Sequence, residues 1–456
     1  MKQALIILLA LAARPTAAQN AWTVQQCMQY AVEHNHEVKQ AELQLDNYRV
    51  QKTKAVGSFL PYVDAGIGAQ YNFGRAIDPE TNGYTDVSTF YNGYQLQASL
   101  PVFDGFSRLH ALKAAKAGEL MGRASLRQQQ DLTALDVLQA YTNVAYYEGL
   151  VSMAGEKVKE TTLLLKQTRL LEEVGRKSAA DVAQVESQQA EADYELTRQQ
   201  NLHASALLEL KKAMGFPIGD SLSLTPSPSP KERGVITLAI IISGRTIYSP
   251  LLGRKATGRR ALLGNGAGGE AVARYQMEAA KHEWRQARAS LFPTLSLSAG
   301  LSTTYFRTLH SETAASFNNQ FKNNMGEYIG ATLSIPLFNR LQTVTNIRKA
   351  KNNYKIAHEA YQQKLLELEK LSREAWQDWQ GYLKQTAQME KKVEADSLAY
   401  QLTRRQFEEG LSTAIDLHTT GSQLLKSKAT LLQCRLMAMV KEQLVRYYNG
   451  EMIWTE

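Results

Sequence analysis

The sequence predicts a mainly α-helical fold with a small membrane β part, the whole plan laid down twice in one chain. Three observations predict it. Residues 102–216 and 337–456 contain no proline, so each can carry very long helices without the kink that proline imposes. Each run follows a segment in which apolar and polar residues alternate, the period of a strand with one apolar face. Finally, the step from Pro101 to Pro336 equals the steps from Gly175 to Gly410 and from Asp181 to Asp416, so both helical arms have one length. A chain that repeats its architecture in this way places two equivalent units around a shared surface.

The amino terminus carries the marks of an export signal over residues 1–18. Lys2 supplies the positive end, residues 4–13 the apolar stretch, and Thr16-Ala17-Ala18 a small-residue cleavage site before Gln19. The first repeat, residues 19–224, opens with a helix over 21–57 for which Thr23 is the N-cap. Residues 62–74 then alternate, Val63, Ala65, Ile67, Ala69, Tyr71 and Phe73 against Asp64, Gly66, Gly68, Gln70 and Asn72. After a polar loop, residues 93–103 set Tyr94, Leu96, Ala98, Leu100 and Val102 against Gln95, Gln97 and Ser99. The second repeat, residues 270–456, reproduces helix, strand, strand and hairpin, with strands over 294–306 and 328–336. Pro61, Pro101, Pro293 and Pro336 mark the strand–helix junctions.

Each alternating segment is close to the ~9–11 residues that cross a bilayer as a tilted strand, with aromatics such as Tyr71, Phe73, Tyr94, Tyr305 and Phe306 toward its ends. Four strands cannot close a barrel that holds water, and an open sheet edge cannot sit in lipid. Further copies must supply the missing strands. A soluble sandwich edge is the other reading of such segments, but no second sheet is in view to pack against it.

The arm over residues 102–174 would be roughly 110 Å long as one helix, at about 1.5 Å per residue. Val144, Tyr147, Val151, Ala154 and Val158 recur at steps of three and four, a coiled-coil seam, and Trp376, Trp379 and Leu383 mark its counterpart. A seam that narrow leaves the other helix faces wet, as a hollow structure requires. Gly175 and Gly410 break the arms, and Ser178 and Thr413 stand where they cap the returning helices. Asp181 and Asp416 follow within the first turn, where a carboxylate is stabilised by the helix dipole.

Composition excludes several classes. The formal net charge is +8. Lys2 and Arg14 in the signal, with Lys231, Arg233, Arg245, Arg254, Lys255, Arg259 and Arg260 against Glu232 in residues 225–269, account for all of it, so no nucleic-acid stripe remains. Residues 225–269 fit neither repeat and read as an inserted piece in place of the natural connection, the alternative being a functional basic loop. Two cysteines, Cys27 and Cys434, are too few for a disulfide framework, and whether they meet is left open. His34 and His36 lack further ligands at metal-binding spacing. No phosphate-cradling glycine loop or nucleophile elbow is present, so the sequence predicts no enzyme, no cofactor and no metal, and any pumping must draw energy from a partner.

Together these features resemble the TolC-like outer-membrane efflux protein family (outer membrane factors). The residues that carry the resemblance are Trp22-Thr-Val-Gln-Gln-Cys-Met-Gln-Tyr-Ala, Glu33-His-Asn-His-Glu-Val-Lys, Ala289-Ser-Leu-Phe-Pro-Thr-Leu-Ser-Leu-Ser-Ala-Gly and the paired proline and glycine motifs. The resemblance implies a homotrimer whose four strands per chain close a twelve-stranded β-barrel in the outer membrane, continued by an α-barrel across the periplasm. It implies a periplasmic adaptor (membrane fusion protein) docked at the hairpin tips, at Val174, Gly175, Arg176, Ser178, Gly410, Leu411 and Thr413. It places Asp416, and with it Asp181, at the periplasmic aperture. Arg176 and Lys177 depart from the usual neutral tip residues, and Thr419 stands where a second acidic ring is expected. The function implied is the exit duct of a tripartite efflux system that passes small molecules from an inner-membrane RND or ABC transporter to the exterior. The alternatives are the outer duct of type I protein secretion and a periplasmic coiled-coil scaffold that forms no channel.

Overall fold

The computed structural model describes residues 21–77, 82–86, 88–225, 269–309 and 316–454; the expected export signal and nearly all of the segment read as an insertion lie outside the described residues. In chain order the elements are α1 (Val24–His34), α2 (His36–Gly57), β1 (Tyr62–Asn72), β2 (Arg75–Ile77), β3 (Tyr84–Asp86), β4 (Thr89–Phe103), α3 (Ser107–Glu173), α4 (Ala179–Met214), α5 (Glu270–Ala289), β5 (Thr294–Thr308), α6 (Phe317–Asn323), β6 (Gly326–Ser334), α7 (Gln342–Glu408) and α8 (Ala414–Tyr448). The long arms α3 and α7 are 67 residues each. The chain divides into two compact units, one of Gln44–Arg123 with Val272–Gln363, the other of Met1–Leu43, Ala124–Ala271 and Lys364–Glu456.

In the first of these units β1, β4, β5 and β6 form one antiparallel sheet in that order, the two halves of the chain joining at the β4–β5 pair. The register sorts the side chains by face. Ile67 stands beside Tyr94, Tyr94 beside Thr303, Leu96 beside Leu301 and Ala299 beside Ile329. One face therefore carries Val63, Ile67, Leu96, Leu297, Leu301, Ile329 and Leu333; the other carries Asp64, Gln95, Gln97, Ser298, Ser302 and Thr332. Apart from the end that α6 covers at Tyr94, Thr303 and Tyr305, the apolar face is uncovered, with Ile67 76 % and Ile329 89 % exposed. Among the described residues no strand pairs with the free flanks of β1 and β6. On the polar face Tyr328 lies over Gly300, where a Cβ would meet its ring at 2.4 Å, so the glycine makes room for the aromatic.

Beyond β6 the outer part of β5 is completed without a strand. Gln320 of α6 accepts from the Phe306 N–H at 2.9 Å and donates to the Phe306 carbonyl at 2.8 Å, and Asn324 donates to the Thr304 carbonyl at 2.8 Å. Phe321 of α6 packs edge-on against Tyr94 at 5.3 Å and Phe317 against Tyr305 at 5.2 Å. Neither α6 nor the β2–β3 ribbon was predicted from the sequence.

The helices of this unit follow the order of the strands. Tyr48 of α2 lies on Gly118 and Gly122 of α3, and Lys52 pairs with the buried Glu119 at 2.7 Å. His110 of α3 stacks on His282 of α5 with ring centroids 5.8 Å apart, and Trp284 of α5 stacks on Tyr354 of α7 at 5.8 Å. The row is thus α2, α3, α5, α7. Pro61 and Pro293 directly precede β1 and β5, and Pro336 follows β6, where a missing N–H ends the ladder. Pro101 stands inside β4, at a register shift between Pro101 and Phe103, one of the few places a strand accepts proline.

In the other unit α1 begins at Thr23, whose hydroxyl and Gln26 form a reciprocal capping box. The single helix predicted over 21–57 is broken at Asn35, with φ −62° and ψ 136°. Its side-chain oxygen accepts from the Glu37 N–H at 2.7 Å and its amide donates to the Ala213 carbonyl at 2.8 Å, so local and tertiary bonds to one asparagine outcompete the helix. Cys27, Val137, Leu138, Leu210, Met214 and Leu368 are buried in the main core. Of the expected seam, Val144 and Ala154 are buried. Cys27 and Cys434 are both free and buried, and burial pushes the Cys27 thiol up to about 12. His34 stacks on Tyr30 at 4.1 Å.

Candidate functional site at the hairpin tips

The two hairpin tips lie in one unit and are built alike. At the end of α3, Gly175 takes φ 74°, the Arg176 N–H reaches back to the Leu171 carbonyl at 2.8 Å and the Gly175 N–H to Glu172 at 2.8 Å. At the end of α7, Gly410 takes φ 80°, with the Leu411 N–H on Gln406 at 2.7 Å and the Gly410 N–H on Phe407 at 3.0 Å. Both are Schellman closures, which need a left-handed residue and so favour glycine. Three residues later each chain re-enters a helix through a capping box. Asp181 accepts from the Ser178 N–H at 3.0 Å and hydroxyl at 2.8 Å; Asp416 accepts from the Thr413 N–H at 3.1 Å and hydroxyl at 2.6 Å.

These bonds set the electrostatics. The backbone N–H and hydroxyl of Ser178, with Lys177 nearby, hold the Asp181 carboxyl below its usual range. The hydroxyl and N–H of Thr413, with Ser412, do the same for Asp416. Both aspartates are therefore ionised at neutral pH and fixed at the mouth of a helix, where the dipole adds to the preference for negative charge. Thr419 bonds its own helix at the Ile415 carbonyl.

A small core holds the tips together: Leu165 of α3, Val182 and Val185 of α4, Phe407 of α7, and Ala414 and Leu417 of α8. Gln188 of α4 donates to the Ala414 carbonyl at 3.1 Å, tying one tip to the first turn beyond the other. Lys177 sits over the Phe407 ring, 4.1 Å from its centroid. Sequence reasoning missed Lys177–Phe407 and Gln188–Ala414, since neither partner is marked by spacing. Outside this core the tips end in uncovered apolar residues, Val174 at 68 % and Leu411 at 75 % exposed, beside Arg176.

No helix among the described residues is long and apolar enough to cross a membrane, a statement that does not bear on the strands. Among the described residues no three His, Cys, Asp or Glu side chains gather where they could hold a metal ion.

Solved structures with the same fold include the outer membrane channel CmeC of Campylobacter jejuni, with a TM-score of 0.77 at 14 % identity over 95 % of this chain and 87 % of that one. The outer membrane protein VceC of Vibrio cholerae gives a TM-score of 0.74 at 15 % identity over 94 % of this chain and 96 % of that one. In sequence, the toluene efflux pump outer membrane protein TtgC of Pseudomonas putida is 22 % identical over 93 % of this chain and 84 % of its own length. The family model described as outer membrane efflux protein matches residues 27–216 and 271–446 and not the segment between them. This chain belongs to the outer membrane efflux protein family.

Proposed function

We propose that the chain is one third of a passive exit duct: a homotrimer in the outer membrane that conducts small molecules delivered by a periplasmic adaptor and an inner-membrane RND or ABC transporter. The sheet is the observation that carries this reading. Its apolar face is open and, among the described residues, its two flanks are unpaired, a combination that is costly in water and not permitted in lipid. Closing three copies flank to flank pairs every edge, turns the apolar face to lipid and encloses the polar face around water.

The hairpin tips are a second working surface. Val174, Gly175, Arg176 and Ser178 on one tip, with Gly410, Leu411 and Thr413 on the other, offer the adaptor an apolar surface with a basic edge at Arg176. Asp181 and Asp416, fixed in their capping boxes, line the periplasmic aperture and favour cationic over anionic passengers. The relatives' names support efflux, since TtgC is an outer membrane protein of a toluene efflux pump. The export signal over residues 1–18 supplies the route out of the cytoplasm.

Detergent-extracted protein tests this directly. A particle of trimer mass that gives discrete, long-lived conductance steps in planar bilayers is the expected result. A stable monomer, or a trimer that does not conduct under any applied potential, refutes the duct.

A further inference from the structure

Because the chain is duplicated, a contact seen between its halves inside one copy has a counterpart between copies. Inside the copy, α3 of the first half meets α5 of the second. His110 stacks on His282, and nearer the strands Gly105 lies so close to α5 that a Cβ would meet the Ala289 carbonyl oxygen at 2.5 Å. The step from Pro101 to Pro336 carries His110 to Thr345 and Gly105 to Arg340; the step from Pro293 to Pro61 carries His282 to Val50 and Ala289 to Gly57. Thr345 and Arg340 belong to the start of α7, Val50 and Gly57 to α2. These are the outer members of the row α2, α3, α5, α7, and only another copy can bring them together.

The stripes that bear these residues are uncovered. Helix α2 turns Leu45 and Tyr48 toward α3 and leaves Asp46 and Val50 on its far side, Val50 60 % exposed. Helix α7 turns Tyr354 toward α5 and leaves Thr345, Lys349 and Ile356 on its far side, Ile356 67 % exposed.

We propose that α7 of one copy packs on α2 of the next in the register that α3 adopts on α5, with Thr345 against Val50. Lys349 then falls beside Asp46, one turn farther from the strands on each helix, and Arg340 falls at the carbonyl end of α2, near Gly57. The proposal rests on the trimeric reading and adds to it the contact and its register.

Two independent features fit this occupant. The first is charge. Lys349 has no ion pair among the described residues, and the ion pair described for Asp46 is a long one to Arg49 at 4.0 Å, both side chains exposed. The second is strain. Where the first half has Gly105 at φ 64° followed by Phe106 at φ 70°, the second half has Arg340 at φ 53° followed by Leu341 at φ 66°. The second position bears a side chain in both halves, so the difference is at the first: an arginine in place of that glycine is costly and persists where surrounding contacts impose it. No hydrogen bond or ion pair to the Arg340 guanidinium is present among the described residues. A guanidinium over the last carbonyls of a neighbouring helix, at the negative end of its dipole, supplies the compensating contact. A lipid or an unrelated protein would reproduce neither the register nor the pairing of Lys349 with Asp46.

The test is cysteine cross-linking in the full-length protein in native outer membranes. Val50→Cys combined with Thr345→Cys, oxidised with copper phenanthroline, is expected to give covalent dimers and trimers on non-reducing gels. Neither single variant should give trimers, nor should Val50→Cys with Ile347→Cys, which moves the thiol to the α5 side. A particle of trimer mass in which the 50/345 pair stays unlinked, or in which the 50/347 pair links better, overturns the register and leaves the duct standing. A particle of monomer mass overturns both. A charge exchange gives a reading free of thiols: Asp46→Lys should lower the fraction of trimer surviving mild SDS several-fold, and adding Lys349→Asp should restore it. Failure of that rescue counts against the seam.

Discussion

Replacing residues 226–268 with about ten Gly and Ser residues should leave folding, assembly and conduction intact. The ends of the segment are fixed by the same helix. Thr225 donates to the Trp22 carbonyl at 3.1 Å, and its own carbonyl accepts from the Tyr141 hydroxyl at 3.2 Å; Gly269, with φ 86°, lies against the side chain of Gln128. Gln128 and Tyr141 are less than four turns apart on α3, about 20 Å along its axis, and reaching around the helix adds roughly 10 Å. Extended chain covers about 3.3 Å per residue, so some ten residues suffice. Each doubling of a flexible loop costs only about 0.6 kcal/mol in closure entropy, so a roughly fourfold shortening changes stability by about 1 kcal/mol in the favourable direction. In a protein of this size that raises the melting midpoint by about 2 °C or less. The assay is thermal melting of the solubilised protein, with particle mass and single-channel conductance measured on the same preparation. A midpoint lowered by more than a few degrees, loss of the trimer, or altered conductance would show that the segment holds the halves together, and the reading of it as an insertion would fail.

Other perturbations have equally definite expectations. Phe407→Ala removes a ring with 2 % exposure from the small core that joins the tips, and should cost about 3–5 kcal/mol locally, read as faster proteolysis or hydrogen exchange near the tips. Unchanged exchange there would deny that this core holds the tips. Ser178→Ala deletes a capping hydroxyl and should cost about 1 kcal/mol of helix stability at that tip, visible as earlier fraying of α4 by hydrogen exchange. For pH, the folded-state pKa of Asp181 and Asp416 lies below the unfolded value, so their contribution is complete above the unfolded carboxylate range and is lost as pH falls through the folded values. Tip order and cation preference should therefore both decline in acid, below about pH 4, and Asp416→Asn should weaken the pH dependence of conductance; a profile identical to the parent would remove Asp416 from the aperture. Gly105→Ala should misfold or lose strand–helix packing, because its Cβ would meet the Ala289 oxygen at 2.5 Å; wild-type melting would contradict the geometry.

What could be read in the sequence was whatever rests on period and on backbone chemistry. The arms are visible because proline is absent over their whole length, and the strands because apolar residues alternate with Gly, Ser and Gln. Each tip is visible because a left-handed closure calls for glycine and a helix start calls for Ser or Thr with an acid three residues on, which Gly175, Ser178 and Asp181 supply and Gly410, Thr413 and Asp416 repeat. Side-chain competition was not visible. Asn35 breaks a helix because it finds the Ala213 carbonyl, 178 residues away, and no local pattern announces that partner. Helix α6 was missed for the same reason: Gln320 substitutes for a strand only because β5 outruns β6 and leaves the backbone of Phe306 open.

The same distinction explains why the tips were found but their mutual attachment was not. Closures and caps are bonds between neighbours in sequence, so glycine and hydroxyl spacing predicts them. Lys177 over Phe407 and Gln188 on Ala414 join residues from opposite halves of the chain, and either lysine or glutamine would serve as well as a solvated surface residue. The duplication read from the sequence is what narrows that gap. Once the halves correspond, each observed contact between them specifies a second one, and the outer stripes of α2 and α7 become a prediction instead of unexplained exposure. Arg340 is the sharpest case. A left-handed arginine where its counterpart is glycine has no compensating bond from its guanidinium among the described residues, and the carbonyl end of a neighbouring copy's helix provides one that cross-linking can contradict.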